Sequence, residues 1–433
     1  MNRRRFVSSL AAIASSPLAA QTRTDRQVIV ISIDGLPAYA LHDPNVPLPT
    51  IQRLAREGAI ATEGMQVVNP AVTWPNHTAM VTGVTPAKHG VLYNGLPVRM
   101  GEGKPLRVDP WVPKQELVLA PTVYDLAHNA GLTTAEVDWV AIHKPTTITW
   151  SFAERPLADD PVVKDMVSAG LVTEAEIRDF AKTQIVTRDE VWTDAAVHIL
   201  QKYKPNLLLF HLLATDSNQH RYGARSLGGN TALALADSRI KRIVDTAGGR
   251  ANILIVSDHG FKTYDKVIHA NALLSAKGWL DDAWVIPEGG SAMVYVTRSS
   301  KKAELVPLLR EAFAGVKGVR QVVEPADFAK YGFPAPNERM ADLVLFAEDR
   351  FAFASETKGE VVADVPAGST PGAHGYVSSD PAMNATFVAS GPGIKRGVKL
   401  ASIRNLDVAP TIARLLGLEM KNIDGRALTE ILA

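Results

Sequence analysis

Three apolar runs that lead into aspartates constrain the fold of this chain most strongly. Residues 27–33, 206–214 and 251–257 are dominated by Val, Ile and Leu, which is typical of strands buried on both faces of a sheet. Asp34, Asp216 and Asp258 follow these runs. The carboxyl ends of parallel strands meet at one edge of a sheet, where ligands bind. We therefore expect the three carboxylates to converge on one site.

The rest of the chain alternates between strand and helix signals. Further strand-like runs lie at 133–140, 292–297, 342–347 and 385–390. Helical periodicity lies between the runs, at about 49–59, 76–83, 121–130, 190–203, 230–247, 302–314 and 406–417. This alternation predicts an α/β fold in which helices cover both faces of a mostly parallel sheet.

Histidines accompany the aspartates at spacings that suit metal binding. Asp216 and His220 are four residues apart, so one helical turn places both on the same face. His259 is adjacent to Asp258, and His374 lies in a Gly-Ala-His-Gly segment. Carboxylate and imidazole ligands suit zinc, and a catalytic zinc keeps three protein ligands and one open position. Together with the aspartate after the first run, these ligands predict two open sites for two Zn²⁺ ions. Such a pair clamps the attacking and leaving oxygens of an in-line displacement.

Thr73 is a candidate nucleophile. It lies just before Pro75 and the helix predicted over 76–83, and the N-terminus of a helix favours a phosphoryl oxyanion. Metal coordination would turn its hydroxyl into an alkoxide nucleophile. The alternative is that Thr73 only caps the helix.

Bulk properties restrict the partners. The 433 residues carry a formal net charge of +1, which gives no bulk attraction to nucleic acid. No apolar run after the N-terminus approaches the roughly 20 residues of a spanning helix, so no stable membrane insertion is expected after processing. The absence of Cys excludes disulfides and thiolate ligands. The expected partner is a small-molecule phosphodiester or nucleotide, and the pattern carries no prediction of oligomeric state.

The N-terminus predicts export. Arg3-Arg4-Arg5-Phe6 precedes an apolar and small-residue run from Val7 to Ala20, which is typical of a signal peptide over residues 1–20. The arginines resemble a twin-arginine signal, and a general secretory signal is the alternative. A periplasmic or extracellular location is therefore expected. The mature chain is then predicted to comprise a core of 21–264 and 371–433, with a helical insertion at about 145–190 and an inserted α/β subdomain at 265–370.

The chain resembles the alkaline phosphatase superfamily, specifically its nucleotide pyrophosphatase/phosphodiesterase branch. The family shows a Thr-aromatic-Pro-Asn-His element followed by Thr-Gly, and this chain has Thr73-Trp74-Pro75-Asn76-His77 and then Thr82-Gly83. The order Asp, Thr, Asp-x-x-x-His, Asp-His-Gly, Gly-x-His-Gly also matches. The resemblance implies an alkaline-phosphatase-like fold in which one zinc is surrounded by Asp34, Thr73, Asp258 and His259. The second zinc would be held by Asp216, His220 and His374.

The resemblance also implies a two-step hydrolysis of phosphodiester or nucleotide pyrophosphate bonds through a phosphothreonine at Thr73. Asn94 matches the family's asparagine that donates a hydrogen bond to a phosphoryl oxygen. Trp74 occupies the family's aromatic position in the substrate pocket, with packing as its alternative role. Tyr93 and Tyr222 are weaker candidates for that pocket.

Single residues distinguish this chain from other functional classes of the superfamily. Sulfatases need a Cys or Ser in a Cys/Ser-x-Pro-x-Arg setting, which Thr73 and His77 replace here. Phosphate monoesterases carry a Lys and an Arg two residues apart, whereas Lys144 is followed at position 146 by Thr. A phosphonate hydrolase and an inactive relative that only binds remain alternatives. The other histidines, including His211 within its apolar run, are predicted to be structural.

Overall fold

The computed structural model describes residues 25–433, and the predicted export signal over residues 1–20 lies outside these described residues. The strands are β1 (Val28–Ile33), β2 (Ala59–Ala61), β3 (Met65–Gln66), β4 (Leu96–Val98), β5 (Arg107–Asp109), β6 (Thr134–Val137), β7 (Trp150–Phe152), β8 (Leu207–Leu212), β9 (Asn252–Val256), β10 (Lys262–Thr263), β11 (Lys266–His269), β12 (Ala283–Glu288), β13 (Ser291–Val296), β14 (Val319–Val323), β15 (Leu343–Ala347), β16 (Phe351–Ala354), β17 (Val362–Asp364), β18 (Gly372–Ala373), β19 (Phe387–Ser390), β20 (Val398–Leu400) and β21 (Ile403–Arg404).

The α-helices are α1 (Pro49–Glu57), α2 (Thr73–Thr82), α3 (Pro86–His89), α4 (Lys114–Leu117), α5 (Val123–Asn129), α6 (Pro161–Ser168), α7 (Glu174–Arg178), α8 (Ile185–Lys202), α9 (Ala214–Tyr222), α10 (Leu227–Ala247), α11 (Ala270–Ala276), α12 (Lys302–Ala314) and α13 (Val408–Leu415). Short 3₁₀ helices lie at Ala38–His42, Phe180–Lys182, Ser299–Lys301, Pro325–Tyr331, Pro381–Met383 and Asn405–Asp407. Each predicted strand and helix is present. No helix within residues 25–433 combines the length and apolar character needed to cross a membrane.

An eight-stranded sheet forms the centre, in the order β20-β2-β19-β9-β1-β8-β6-β7. β19 runs antiparallel to both of its neighbours, and every other pair is parallel. This arrangement confirms the predicted α/β class and the mostly parallel sheet. Within it, Ile33 lies opposite Leu212, and Ser32 lies opposite Val256. The segments that follow β1, β8 and β9 therefore leave the sheet at one edge.

Alternate side chains of β1 enter two separate apolar clusters, as the period of two in a strand requires. Val28 and Val30 pack in one cluster with residues of α2, α5 and α13. Ile29, Ile31 and Ile33 pack in the other with residues of α1, α6, α8 and α10. All five side chains are completely buried, and each contributes about 1.5–3 kcal/mol. Burial on both faces explains why this run contains no alternation of polar and apolar residues.

Helix α2 begins earlier than its periodicity predicts. It starts at Thr73, with Val72 as the N-cap residue and no side-chain cap hydrogen bond. Pro75 is tolerated because the first N–H groups of a helix have no intrahelical partner to lose. Thr73 is therefore the first residue inside the helix, and its hydroxyl does not cap it.

The chain between β9 and β19 builds smaller sheets. β12, β13, β15 and β14 form a four-stranded antiparallel sheet, and β16, β11 and β17 form a three-stranded sheet. The four-stranded sheet shares one apolar cluster with the central sheet, through residues such as Val285, Val294 and Leu345. The region predicted as a helical insertion contributes an edge strand, β7, followed by α6 and α7. The proposed boundaries of these two insertions stay predictions.

Candidate metal centre and nucleophile

Six of the predicted ligands form two groups of three at the carboxyl edge of the sheet. Asp34 follows β1, and Asp258 and His259 follow β9; we call these three residues the first cluster. Asp216 and His220 lie on α9 and meet His374, which follows β18; these three are the second cluster. Within each cluster the ligand atoms all lie within 4.8 Å of one another. This spacing suits three ligands that share one cation.

The distances within the clusters are those of groups facing a common point. In the first cluster, Nε2 of His259 lies 3.1 Å from Oδ2 of Asp258 and 3.4 Å from Oδ1 of Asp34. In the second, Oδ1 of Asp216 lies 3.3 Å from Nε2 of His220 and 3.7 Å from Nε2 of His374. The rings of His259 and His374 stack with centroids 3.7 Å apart. The two clusters therefore lie side by side.

Each cluster histidine is oriented by a backbone carbonyl. Nδ1 of His220 lies 2.9 Å from the Gly372 oxygen, and Nδ1 of His374 lies 2.9 Å from the Ala71 oxygen. Nδ1 of His259 lies 3.1 Å from the carbonyl oxygen of the next residue. Since a carbonyl only accepts, each Nδ1 carries the proton and donates it. The Nε2 lone pair is left facing the cluster, as a metal ligand requires.

Several ligand atoms are buried without a hydrogen-bond partner among residues 25–433. They are Oδ1 of Asp34, Oδ1 of Asp216, Oδ2 of Asp258 and Nε2 of His259. Buried polar atoms are normally paired, because an unpaired one costs about 1–3 kcal/mol. Burial, and then the charges of Asp258 and Asp216, raise the pKa of Asp34 well above its ordinary value. A cation at each cluster would pair the free acceptors and remove this repulsion, so the residues present fit a two-cation centre.

The other oxygen of Asp258 is fixed by the backbone. Oδ1 accepts the N–H groups of Gly35 and His259, each at 3.0 Å, which leaves Oδ2 for the cluster. Gly35 has φ of +66°, and a Cβ there would lie 2.8 Å from the Phe261 ring. Glycine is therefore required directly after Asp34.

His211 does not behave as an ordinary core histidine. It is completely buried on β8, with Nε2 3.2 Å from Oδ2 of Asp34 and Nδ1 3.1 Å from Oδ2 of Asp138. Burial lowers the pKa of His211, but the two carboxylates outweigh it and raise the pKa well above the ordinary value. The sequence analysis missed this contact because Asp138 and Asp34 come from other strands.

The backbone at and just before Thr73 contacts histidines next to both clusters. The Thr73 carbonyl is 2.9 Å from Nδ1 of His77, which is also 3.7 Å from Oδ2 of Asp258 in the first cluster. Two residues earlier, Ala71 holds His374 of the second cluster. Thr73 is 7% exposed, and no side-chain cap hydrogen bond is formed at the start of α2. Burial lowers the pKa of His77 to about 3, so this imidazole is neutral beside the nucleophile candidate.

The predicted substrate-binding residues have different surroundings. Oδ1 of the exposed Asn94 accepts the Trp74 N–H at 3.0 Å, so its amide group is oriented beside the first turn of α2 with N–H donors to spare. Trp74 is 8% exposed and packs with Val91 and Val140. Tyr93 is completely buried, and its hydroxyl bonds that of Tyr295 at 2.8 Å. Tyr93 is therefore a core residue whose side chain has no surface left for a substrate.

Two further residues from the sequence analysis lie at the surface. Tyr222 is 43% exposed at the end of α9. Lys144 is exposed, and the hydroxyl of Thr146 accepts from Gln115 at 2.9 Å. His89 is buried, and its Nδ1 accepts the Val91 N–H at 3.2 Å, which is the structural role expected of it.

The comparisons with known proteins identify the family. Residues 28–377 match the model of the type I phosphodiesterase/nucleotide pyrophosphatase family. The matched family is one of phosphoric ester hydrolases. Since the match covers most of the sequence, this chain belongs to the type I phosphodiesterase/nucleotide pyrophosphatase family.

The relatives are distant in sequence. Human ectonucleotide pyrophosphatase/phosphodiesterase family member 1 is 24% identical over 412 residues, covering 90% of this chain and 40% of the relative. The bis(5'-adenosyl)-triphosphatase enpp4 of Xenopus laevis is 23% identical over 416 residues, which cover 90% of this chain and 78% of the relative. Murine ectonucleotide pyrophosphatase/phosphodiesterase 5, solved as an inactive form in complex with AMP, has a TM-score of 0.73 at 17% identity. The match covers 94% of this chain and 100% of the murine chain. This chain thus spans well under half of its human relative, and the structural likeness confirms the predicted fold.

Proposed function

We propose that this chain hydrolyses phosphodiester or nucleotide pyrophosphate bonds with two zinc ions and Thr73 as the nucleophile. The observation that carries the proposal is the pair of three-ligand clusters with unpaired buried acceptors. The role of Thr73 is supported by the backbone contacts of Thr73 and Ala71 with His77 and His374. Family membership supports the same activity. The nucleotide substrate is supported by relatives named as nucleotide pyrophosphatases and by the AMP complex of the murine relative.

The ligand set favours zinc. Asp34, Asp258 and His259, joined by the Thr73 hydroxyl, would hold one ion. The residues of the second cluster would hold the other. Mixed carboxylate and imidazole ligands suit Zn²⁺. When bound, the ions would supply Lewis-acid stabilisation to the attacking and leaving oxygens.

The chain's own groups then divide one displacement into two. In the first step, a bond forms between Oγ of Thr73 and phosphorus while the bond from phosphorus to the leaving alcohol or phosphate breaks. The threonine proton passes to solvent, and the leaving group takes up a proton from solvent. In the second step, water replaces Oγ at phosphorus, which restores the threonine hydroxyl and releases the monoester.

Asn94 supports a preference for diesters over monoesters. Its amide donates to a phosphoryl oxygen without adding charge, and it is held beside α2 by the Trp74 N–H. A monoester dianion needs a further cation, and the position two residues after Lys144 is Thr146. Hydrolysis of monoesters is the alternative, and the initial rates on a diester and a monoester substrate distinguish the two.

Export to the periplasm or the extracellular space is proposed on residues 1–20. Its support comes from relatives named as ectonucleotide enzymes and venom phosphodiesterases. Fusion of residues 1–20 to a reporter is expected to export it, and replacement of Arg3 and Arg4, the pair followed by Arg5-Phe6, by Lys separates the two routes. A twin-arginine signal stops working after this replacement, whereas a general secretory signal does not.

The test pairs two substrates with two variants. Initial rates of the zinc-loaded protein on bis-p-nitrophenyl phosphate should exceed those on p-nitrophenyl phosphate. Thr73→Ala should lose turnover by at least about 10³-fold and keep two zinc ions per chain. Thr82→Val is the matched control, because this hydroxyl donates to the Thr78 carbonyl of the same helix and accepts the Val84 N–H at 3.5 Å, with no contact to either cluster among its hydrogen bonds. Unchanged turnover in Thr73→Ala would overturn the assignment of Thr73 as the nucleophile. Faster hydrolysis of the monoester than of the diester would overturn the assignment of phosphodiesters as the substrate class.

A further inference from the structure

A buried chain of three side chains ends at the first cluster. Asp138 follows β6, His211 lies in β8, and Asp34 follows β1. Since β6, β8 and β1 are neighbours in the sheet, their carboxyl ends bring the three side chains into line. Each of them is completely buried. Because the three side chains are shielded from solvent, their hydrogen bonds can orient the Asp34 carboxylate at the end of the row.

The row fixes the rotation of the Asp34 carboxylate. Nε2 of His211 lies 3.2 Å from Oδ2 of Asp34. The other oxygen, Oδ1, is the one without a hydrogen bond among the described residues, and it lies 3.4 Å from Nε2 of His259. Holding one oxygen of a carboxylate determines the direction of the other, which is how outer hydrogen bonds orient metal ligands.

Asp138 in turn fixes the His211 ring. Nδ1 of His211 lies 3.1 Å from both the carboxylate Oδ2 and the carbonyl oxygen of Asp138. With Nδ1 bound to these acceptors, Nε2 must point at Asp34. Asp138 adopts φ of +55°, in a region that few residues other than glycine occupy but that Asp tolerates. This backbone conformation accompanies the placement of both the carbonyl oxygen and the carboxylate of Asp138 at Nδ1 of His211.

Packing keeps the ring from turning. The His77 ring contacts the His211 ring edge-on at 4.7 Å and the Trp139 ring at 4.9 Å. His77 also bonds the Thr73 carbonyl at 2.9 Å. The orientation of Asp34 and the first turn of α2 thus depend on the same packed group.

We propose that His211 and Asp138 are positioning residues that orient Asp34 for the first cation. The inference rests on the metal centre of the proposed function. It goes beyond that function by assigning a role to two residues outside the ligand set. Because the row touches only the first cluster, it sets the cation affinity of that cluster and leaves the second cluster unchanged.

The test uses two substitutions that each preserve one ring nitrogen. In His211→Gln the amide nitrogen replaces Nε2 and still donates to Asp34, whereas in His211→Asn it replaces Nδ1 and leaves Asp34 without its donor. Metal-free full-length protein is titrated with Zn²⁺ against a competing chelator, and Co²⁺ absorbance reports the geometry of each occupied site. We expect His211→Asn to weaken the first site by about 10- to 100-fold and His211→Gln to weaken it much less. The second site should be unchanged in both.

Two more variants complete the design. His89→Asn is the matched control, since His89 is equally buried and the amide oxygen can still accept the Val91 N–H; it should bind both ions as the unmodified protein does. Asp138→Asn keeps the shape of the row and should weaken the first site less than His211→Asn does. Thermal midpoints of the metal-free variants identify any loss of folding, and Asp138→Asn keeps the test usable if a His211 variant unfolds.

The outcomes separate the two proposals. Normal affinity at both sites in His211→Asn overturns the positioning role and leaves the proposed function intact. Equal losses in His211→Asn and His211→Gln overturn it as well, because a packing role does not distinguish the two nitrogens. Failure of the unmodified protein to bind a cation at the first cluster overturns the proposed function together with this inference.

Discussion

The aspartate that holds the start of α9 gives the sharpest test of how the second cluster is built. Asp189 lies on α8, is completely buried, and accepts the N–H of Leu213 at 3.1 Å. It also accepts the N–H of Ala214, at 3.2 and 3.3 Å. These donors belong to the N-terminus of the helix that carries Asp216 and His220. We predict that Asp189→Ala destabilises the protein and weakens the second cation site.

The magnitude follows from what the substitution leaves behind. Two backbone N–H groups lose their acceptor, at about 1–3 kcal/mol each when buried. The partly exposed Leu213 belongs at the low end of that range. At pH 4 the buried carboxyl is protonated in the folded protein, so its charge adds no further contribution. The expected loss is therefore about 2–4 kcal/mol. Asp189→Asn, which keeps one acceptor oxygen, should lose about half of it.

Urea unfolding of the metal-free protein measures this loss. The assay belongs at pH 4, because burial raises the pKa of Asp189 from 3.8 to about 6. At higher pH the cost of burying the ionised carboxylate would offset the lost hydrogen bonds. Asp245→Ala is the control, since Asp245 is exposed and pairs with Lys241 on the surface of α10, and it should cost less than about 1 kcal/mol. If Asp189→Ala costs no more than Asp245→Ala, the capping argument is refuted.

The remaining predictions concern pH, backbone conformation and metal content. Burial raises the pKa of Glu136 to about 7 from 4.5, so its ionised form opposes folding and stability falls as pH rises through this interval. Glu136→Gln has no charge to bury, so its stability should not fall with pH for this reason. The difference in unfolding free energy between this variant and the unmodified protein should increase by about 3 kcal/mol from pH 4 to pH 8. A difference that does not change with pH would contradict the cost assigned to the buried Glu136 carboxylate. Gly375 has φ of +84° and no room for a Cβ against the Glu288 carbonyl, so Gly375→Ala should lower the thermal midpoint, whereas Gly315→Ala should not. His374→Ala should reduce the zinc content measured by mass spectrometry from two ions to one and abolish diester turnover; retention of both ions would contradict the two-cluster assignment.

The central sheet could be predicted from the sequence because its strands are encoded locally. A run such as 206–214 is apolar throughout, so it identifies a strand buried on both faces without knowledge of its neighbours. The rule that carboxyl ends of parallel strands share an edge then brings together Asp34, Asp216 and Asp258. The helix α2 begins three residues before its predicted start, because the prediction took Pro75 to lie before the helix, whereas proline is tolerated in the first turn.

The roles of single side chains were decided by the tertiary structure. Within its apolar run, His211 has the local signature of a core residue. Its two partners lie 73 and 177 residues away along the chain, and only the order of the strands brings them together. Tyr93 is adjacent to Asn94 in sequence but faces Tyr295 in the interior, because the chain bends at Asn94 and turns that residue to the surface. Local pattern determines which elements form and which edge they share, whereas the contacts between distant strands determine what each buried polar group does.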